Sequence, residues 1–293
     1  MYQTRPYEYM VKYTQQKGWI DGRGIFIAFA FFLGGIGGGL FMAAAYFDSI
    51  LGMFIALVIS GLMGLSYMIH LGQPSQFWRM LMKPKTSWIS RGFIFIFFYA
   101  GFASIALILA YWFPEYTTAI TVFKILGGIF AFAQSIYTGF AVSYVNAIKL
   151  WNSAILPILF VVCGFSGGMA VLMGISLGGT EADLALMENI TRITLISFAV
   201  ILIVYLWNAT YNNAAAKDAV ARLLGGNIAV VFWIGVIILG VLIPLGISVG
   251  TYFTGEASTA WLLTAVVTEI LGGLSLRYVV LKGGIYIPLT RGE

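Results

Sequence analysis

Runs of apolar residues close to the ~20 needed to cross ~30 Å of hydrocarbon recur along the whole chain, separated by short polar breaks. Their limits predict eight helices, at about 24–47, 50–71, 92–113, 118–148, 154–178, 189–210, 227–250 and 259–281. The expected fold is therefore an all-α polytopic membrane protein. Residues 1–293 read as a single integral membrane domain with no soluble domain left over. The stretch up to about Trp19 is polar and aromatic, unlike the charged, apolar and small-residue run of a signal peptide, so the first span is expected to be retained.

Charge tests the span count. An even number of spans puts both termini on one face, here called A, and the turns near Asp48, Glu115, Glu188 and Glu256 on the other, B. Face A then collects Arg5, Lys12, Lys17, Arg23, Arg79, Lys83, Lys85, Arg91, Lys149, Lys217, Arg222, Arg277, Lys282 and Arg291, which is 14 of the 16 basic residues. Only Lys124 and Arg192 fall towards B, beside Asp48, Glu115, Glu181, Asp183, Glu188 and Glu256. A miscounted span would scramble this separation. The positive-inside rule makes A cytoplasmic, which predicts a multi-pass protein of the inner membrane with both termini in the cytoplasm.

Composition narrows the function. The chain is 60% hydrophobic and 9% charged, against ~25% charged for an ordinary soluble domain, which excludes a free soluble enzyme. The basic excess sits in loops between spans, where topology explains it, so no nucleic-acid partner is expected. A transmembrane b-type haem needs two axial ligands, commonly His, and the chain has only His70. Fe–S clusters need about four Cys, and the chain has only Cys163, inside an apolar segment. No haem, Fe–S cluster or other metal is expected in this chain, and Cys163 reads as a small buried hydrophobe.

Several local features stand out. The 72–91 connection carries Pro74, Phe77, Trp78, Arg79, Lys83, Pro84, Lys85, Trp88 and Arg91. It suits an interfacial membrane anchor, a docking surface for a cytoplasmic partner, or both. The first span holds Gly34, Gly35, Gly37, Gly38 and Gly39, and glycine pairs recur at 127–128, 167–168 and 272–273. Such residues let helix backbones approach closely in lipid. A phosphate-binding loop is excluded, because no strand precedes the run and it lies at lipid depth.

Polar groups at membrane depth are costly, and so they mark function. His70 closes the second span at face A and can accept a proton or hydrogen-bond a redox-active carbonyl. Gln134 and Tyr137 are three residues apart on the fourth span, hence on one face, and both can bond a polar head group or a neighbouring helix. Tyr137 is expected about 11 residues, or ~16 Å, from the face-A end. Glu269, mid-way along the eighth span, must be neutral, paired or beside water, with Lys124 and Arg192 as its possible partners.

The order of motifs carries a resemblance. His70-Leu71-Gly72-Gln73-Pro74, Phe77-Trp78-Arg79 and Thr86-Ser87-Trp88-Ile89-Ser90-Arg91-Gly92 open the series. Tyr137-Thr138-Gly139-Phe140, Trp151-Asn152 with Leu156-Pro157, Phe232-Trp233-Ile234-Gly235 with Ile243-Pro244, and Gly272-Gly273 with Arg277-Tyr278-Val279-Val280 follow it. The sequence resembles the NrfD/PsrC/DmsC family, membrane anchor subunits of polysulfide, dimethyl sulfoxide and related respiratory oxidoreductases. The resemblance implies a subunit carrying no catalytic centre of its own, which binds menaquinone or ubiquinone and exchanges electrons with a four-cluster ferredoxin-like Fe–S subunit. That partner would serve a molybdopterin-type catalytic subunit.

On this resemblance His70 and Tyr137 bond the two quinone oxygens, within spans one to four near face A; Gln134, on the same helix face as Tyr137, and Arg91 complete the expected quinone site, with Arg91 and Arg79 shaping its entrance or holding the partner. Trp78, Arg79, Lys83, Lys85 and Trp88 dock the partner. Two departures stand out. Gly92 occupies a position where dimethyl sulfoxide reductase-like anchors often carry Glu. Early in the first span, where polysulfide reductase-like members place a polar residue, this chain has only apolar residues, with Asp21 and Arg23 just before. The rival from another class is an ion or small-solute transporter, or a redox-driven proton pathway, using Glu269, Lys124 and Arg192; no clear internal repeat supports it.

Overall fold

A computed structural model describes residues 14–177, 181–255 and 258–287. Arg5, Lys12, Arg291 and Glu256, and the side chain of Glu181, lie outside what it describes. Among the described residues, eight helical segments are long and apolar enough to cross a membrane. They comprise α1 (Ile25–Tyr46), α2 (Ile50–His70), α3 (Trp88–Trp112), α4 (Thr117–Ser143), α5 (Ile155–Ile175) and α6 (Glu181–Asn212). A short helix, α7 (Ala214–Gly225), follows α6. The seventh span then joins a π-helical stretch (Val231–Leu242) to α8 (Ile243–Thr254), and α9 (Thr259–Lys282) is the eighth.

Local chemistry sets the ends. Ser49 accepts the Gly52 amide at 3.1 Å and starts α2 immediately after Asp48, whose φ of 55° makes the tight turn from α1. Ser87 caps α3 in the same way through the Ser90 amide, so that span begins at Trp88 instead of the expected 92. Asn213 caps α7, whose buried Ala215, Ala219, Val220 and Leu223 share one face, with Arg222 and Asp218 paired at 2.9 Å at its surface. No element is expected between the sixth and seventh spans, and the helix is the finding.

The seventh span departs most from expectation. Pro244 has no N–H to give to the preceding turn, and the wide π winding runs up to that point. Gly240 there lies so close to Gly272 of α9 that a Cβ on it would stand 2.9 Å from the Gly272 Cα.

Helix α1 is the axis of the bundle, packed by α2, α4, α5 and α9. Its glycines make this possible. A Cβ on Gly39 would strike the backbone of Gly164 and Phe165 on α5, and one on Gly164 would lie 2.8 Å from the Gly35 backbone. The outer faces stay apolar, as on α2, where Phe54, Val58, Leu62, Leu65 and Ile69 are exposed.

At face A the chain is laced across its ends. Strand β1 (Thr14–Gln15) pairs antiparallel with β2 (Ile285–Tyr286), and Ile148 bridges to Tyr286. Trp151 donates its indole N–H to the Val280 carbonyl at 2.7 Å, and Lys282 pairs with Asp21 at 2.6 Å. The segments flanking α1, α4, α5 and α9 therefore meet at one end, as an even number of crossings requires.

Candidate functional site

Polar side chains of α2 and α4, with backbone carbonyls at and before α1, succeed one another inward from face A. His70, the last residue of α2, is half-buried, and its Nδ1 lies 3.1 Å from the Arg23 carbonyl oxygen. A carbonyl can only accept, so Nδ1 carries the proton and, in the neutral ring, Nε2 is left as an acceptor. One turn deeper, Tyr67 is hydrogen-bonded hydroxyl to hydroxyl with Tyr137 of α4. Helix α4 ends at Ser143, short of the expected 148, which leaves Tyr137 only about 9 Å from that end at 1.5 Å per residue. Its depth thus matches that of Tyr67.

Deeper still, Gln134 is fully buried and donates its amide to the Ser60 hydroxyl at 3.0 Å and to the Gly34 carbonyl at 3.3 Å. The glycine run is what permits this, because α1 presents bare backbone to the α4 side chain. The Gln134 carbonyl oxygen and the Tyr99 hydroxyl are both buried with no hydrogen-bond partner. Unpaired buried polar atoms each cost ~1–3 kcal/mol, so they are natural contacts for an incoming polar group. Their chemistry fits a head group that is apolar in its ring and polar at two oxygens: hydroxyls that donate, an amide carbonyl that accepts and aromatic walls.

Tyr67 escaped the reading of the sequence, although it lies three residues before His70 and hence on the same helical face. Gly92, which departs from the resemblance, abuts this pair. A Cβ there would collide with the Tyr137 ring. Among the other expected site residues, Arg91 is turned towards the loop. Its Nε and Nη2 donate to the carbonyls of Pro84 and Lys85, both at 2.8 Å, and its guanidinium stacks on Trp88 at 4.6 Å. Trp88 in turn stacks on Phe140 at 4.5 Å. The geometry makes Arg91 a clamp on the 72–87 connection. Trp78, Lys83 and Lys85 are exposed, and Arg79 lies over the Trp78 ring at 5.7 Å.

The three charges grouped as a possible ion path are not brought together. Lys124 pairs with Asp48 at the surface of face B. Arg192 donates to the Ser248 carbonyl at 2.8 and 3.1 Å and lies 4.0 Å from Glu188. Glu269 instead accepts a 2.5 Å hydrogen bond from Ser166 of α5. Asp21, considered for the pocket mouth, is held by Lys282, while Arg23 contributes its backbone carbonyl to His70.

Comparison with known proteins identifies the family. Residues 23–288 match the family described as Polysulphide reductase, NrfD. The sequence is similar to the C subunit of polysulfide reductase from Wolinella succinogenes, 27% identical over 170 residues that make up 55% of this chain and 53% of that protein. It is also similar to the Protein NrfD homolog of Haemophilus influenzae, 24% identical over 161 residues (53% and 50%). Protein NrfD of Escherichia coli is 28% identical over 157 residues (50% and 48%). The chain spans about half the length of the curated relatives it matches.

Proposed function

The chain belongs to the polysulphide reductase NrfD family, and we propose that it is the quinone- or quinol-binding membrane anchor of a multi-subunit respiratory oxidoreductase. In this reading it passes electrons between the membrane quinone pool, menaquinone or ubiquinone, and a four-cluster Fe–S subunit docked on face A. That subunit serves a molybdopterin-type catalytic subunit. Face A is the cytoplasmic side of the inner membrane, as its basic residues indicate.

The observation that carries the reading is the inward line His70, Tyr67–Tyr137, Gln134–Ser60. A quinone supplies two-electron, two-proton chemistry at a pair of oxygens on a flat apolar ring. Within the tyrosine pair one hydroxyl donates to the other, which leaves a single O–H to offer one of those oxygens. Gln134 has its amide N–H groups fixed by Ser60 and Gly34, so its carbonyl faces a quinol hydroxyl as acceptor. His70 Nε2 is placed to take a proton at face A and release it to water. Burial in the bundle strengthens the hydrogen bonds of Gln134.

The exposed segment bearing Trp78, Arg79, Lys83 and Lys85 is the docking surface for an acidic patch on the Fe–S partner, held in shape by Arg91 and Trp88. The test is quinol-dependent reduction of the partner clusters in the purified complex. His70→Ala should slow it severely, and an unchanged rate would remove His70 from the site.

A further inference from the structure

A second polar system lies on the opposite side of α1, among α5, α6, α8 and α9. Glu269 is buried, about 15 Å from the face-B start of α9 at 1.5 Å per residue. It lines a cavity of about 10 Å³, room for about one water, with Thr191, Ser248, Thr251 and Glu188. The Ser248 hydroxyl there is buried with no partner. Three of the lining residues, Glu188, Thr251 and Leu262, also line a larger cavity of about 420 Å³ beside Thr259 and Gly255, at the face-B ends of α9 and α8. The two cavities thus meet at Thr251, whose hydroxyl lies 3.5 Å from Glu188 Oε2.

Towards face A the way is shut. Gly272 and Gly240 pack backbone to backbone, and beyond them the buried Arg277 donates to the Phe160 carbonyl at 2.7 Å with its Nε and Nη1 unpartnered. A fixed positive charge in a narrow dry path repels cations.

We propose that Glu269 is a proton-exchange site reached from face B alone, by way of the Glu188–Thr251 pair that lines both cavities. An O–H bond forms on the Glu269 carboxylate as one breaks on a water in the small cavity, and that water regains its proton from Glu188, which is reprotonated from bulk solvent at face B; release reverses these steps. The charged and titratable groups around it are Cys163 on α5, Glu188 and Arg192 on α6 and Arg277 on α9; α8 offers Tyr252 at its exposed end and otherwise hydroxyls. Glu188 is the one other carboxylate lining the cavity, and among the described residues no group of three or more His, Cys, Asp or Glu is placed to hold a metal ion. The site stands apart from Tyr67 and Tyr137, so it does not rest on the quinone reading.

The experiment is infrared difference spectroscopy of the full chain in uniformly oriented proteoliposomes. Glu269→Gln should delete one protonated-carboxyl band. In wild type, a pH rise at face B should bleach that band, and a rise at face A should not. Thr251→Leu, which plugs the junction, should slow the response about tenfold, equivalent to 1.4 kcal/mol of barrier. Thr251→Val and Glu188→Gln, which preserve volume, guard against a folding artefact and should each slow it less. A band that follows face A, a spectrum unchanged by Glu269→Gln, a rate unaltered by Thr251→Leu, or a band that answers sodium at constant pH would each overturn the proposal.

Discussion

Gly92 and Tyr137 share one space: the ring of Tyr137 occupies the volume that any side chain on Gly92 would need. The residue that departs from the pattern of dimethyl sulfoxide reductase-like anchors is therefore the one that seats the tyrosine pair. Gly92→Ala should push the ring aside and uncouple it from Tyr67. The expected cost is ~1–3 kcal/mol of overpacking, read as lowered thermal stability together with weaker binding of a quinol analogue. Gly61→Ala, where an added Cβ meets nothing within 4 Å, should do neither.

Removing one hydroxyl of the pair tests its role directly. Tyr137→Phe and Tyr67→Phe should each weaken a quinol analogue about 5–10-fold, the worth of one hydrogen bond of ~1–1.5 kcal/mol. The double variant should lose little more than either single one, because the two hydroxyls act as one donor. Fluorescence titration of the purified chain measures all three; strictly additive losses would mean that the tyrosines act separately.

The clamp on the face-A loop makes a different prediction. Arg91→Lys keeps the charge but loses the fork that spans the Pro84 and Lys85 carbonyls and the flat stacking on Trp88. Limited proteolysis within 72–87 should accelerate several-fold, while analogue affinity in the isolated chain stays the same. A fall in affinity with an unaltered digest would return Arg91 to the quinone site.

The Lys124–Asp48 pair should matter little. It joins α4 to the turn after α1 with the Asp48 carboxylate open to solvent, and ion pairs with so exposed a partner contribute only ~0–1 kcal/mol. Lys124→Gln should leave the rate of Glu269 protonation unchanged. A slowed rate would restore Lys124 to an ion path.

What the sequence made legible follows from what lipid does to patterning. The eight spans stand out because each must be apolar over its whole length, and the charges between them fix their alternation. The same uniformity hides orientation. Inner and outer faces of a span are equally apolar, so periodicity cannot say that Tyr67 points inward while Tyr111 is exposed. Gln134 and Tyr137 were readable because two polar groups three residues apart must share a face. Tyr67 carried only its spacing from His70. The pairing of Glu269 with Ser166 depends on a contact between distant helices, which no local run of residues encodes. Helix α7 was hidden by its polar exposed side.

The glycine seam has a consequence for how the protein is made. Helix α1 leaves the ribosome well before the helix that fits its bare backbone, because α5 begins at Ile155, some 110 residues after α1 ends at Tyr46. At ~5–20 residues per second, the newborn helix waits several seconds or more with its grooved side turned to lipid or to a chaperone. Its apolar length lets it enter the membrane unaided, and close packing comes afterwards. A ribosome stalled before α5 should therefore hold α1 inserted but still within reach of crosslinking to the insertion machinery, and that contact should disappear once α5 has joined it.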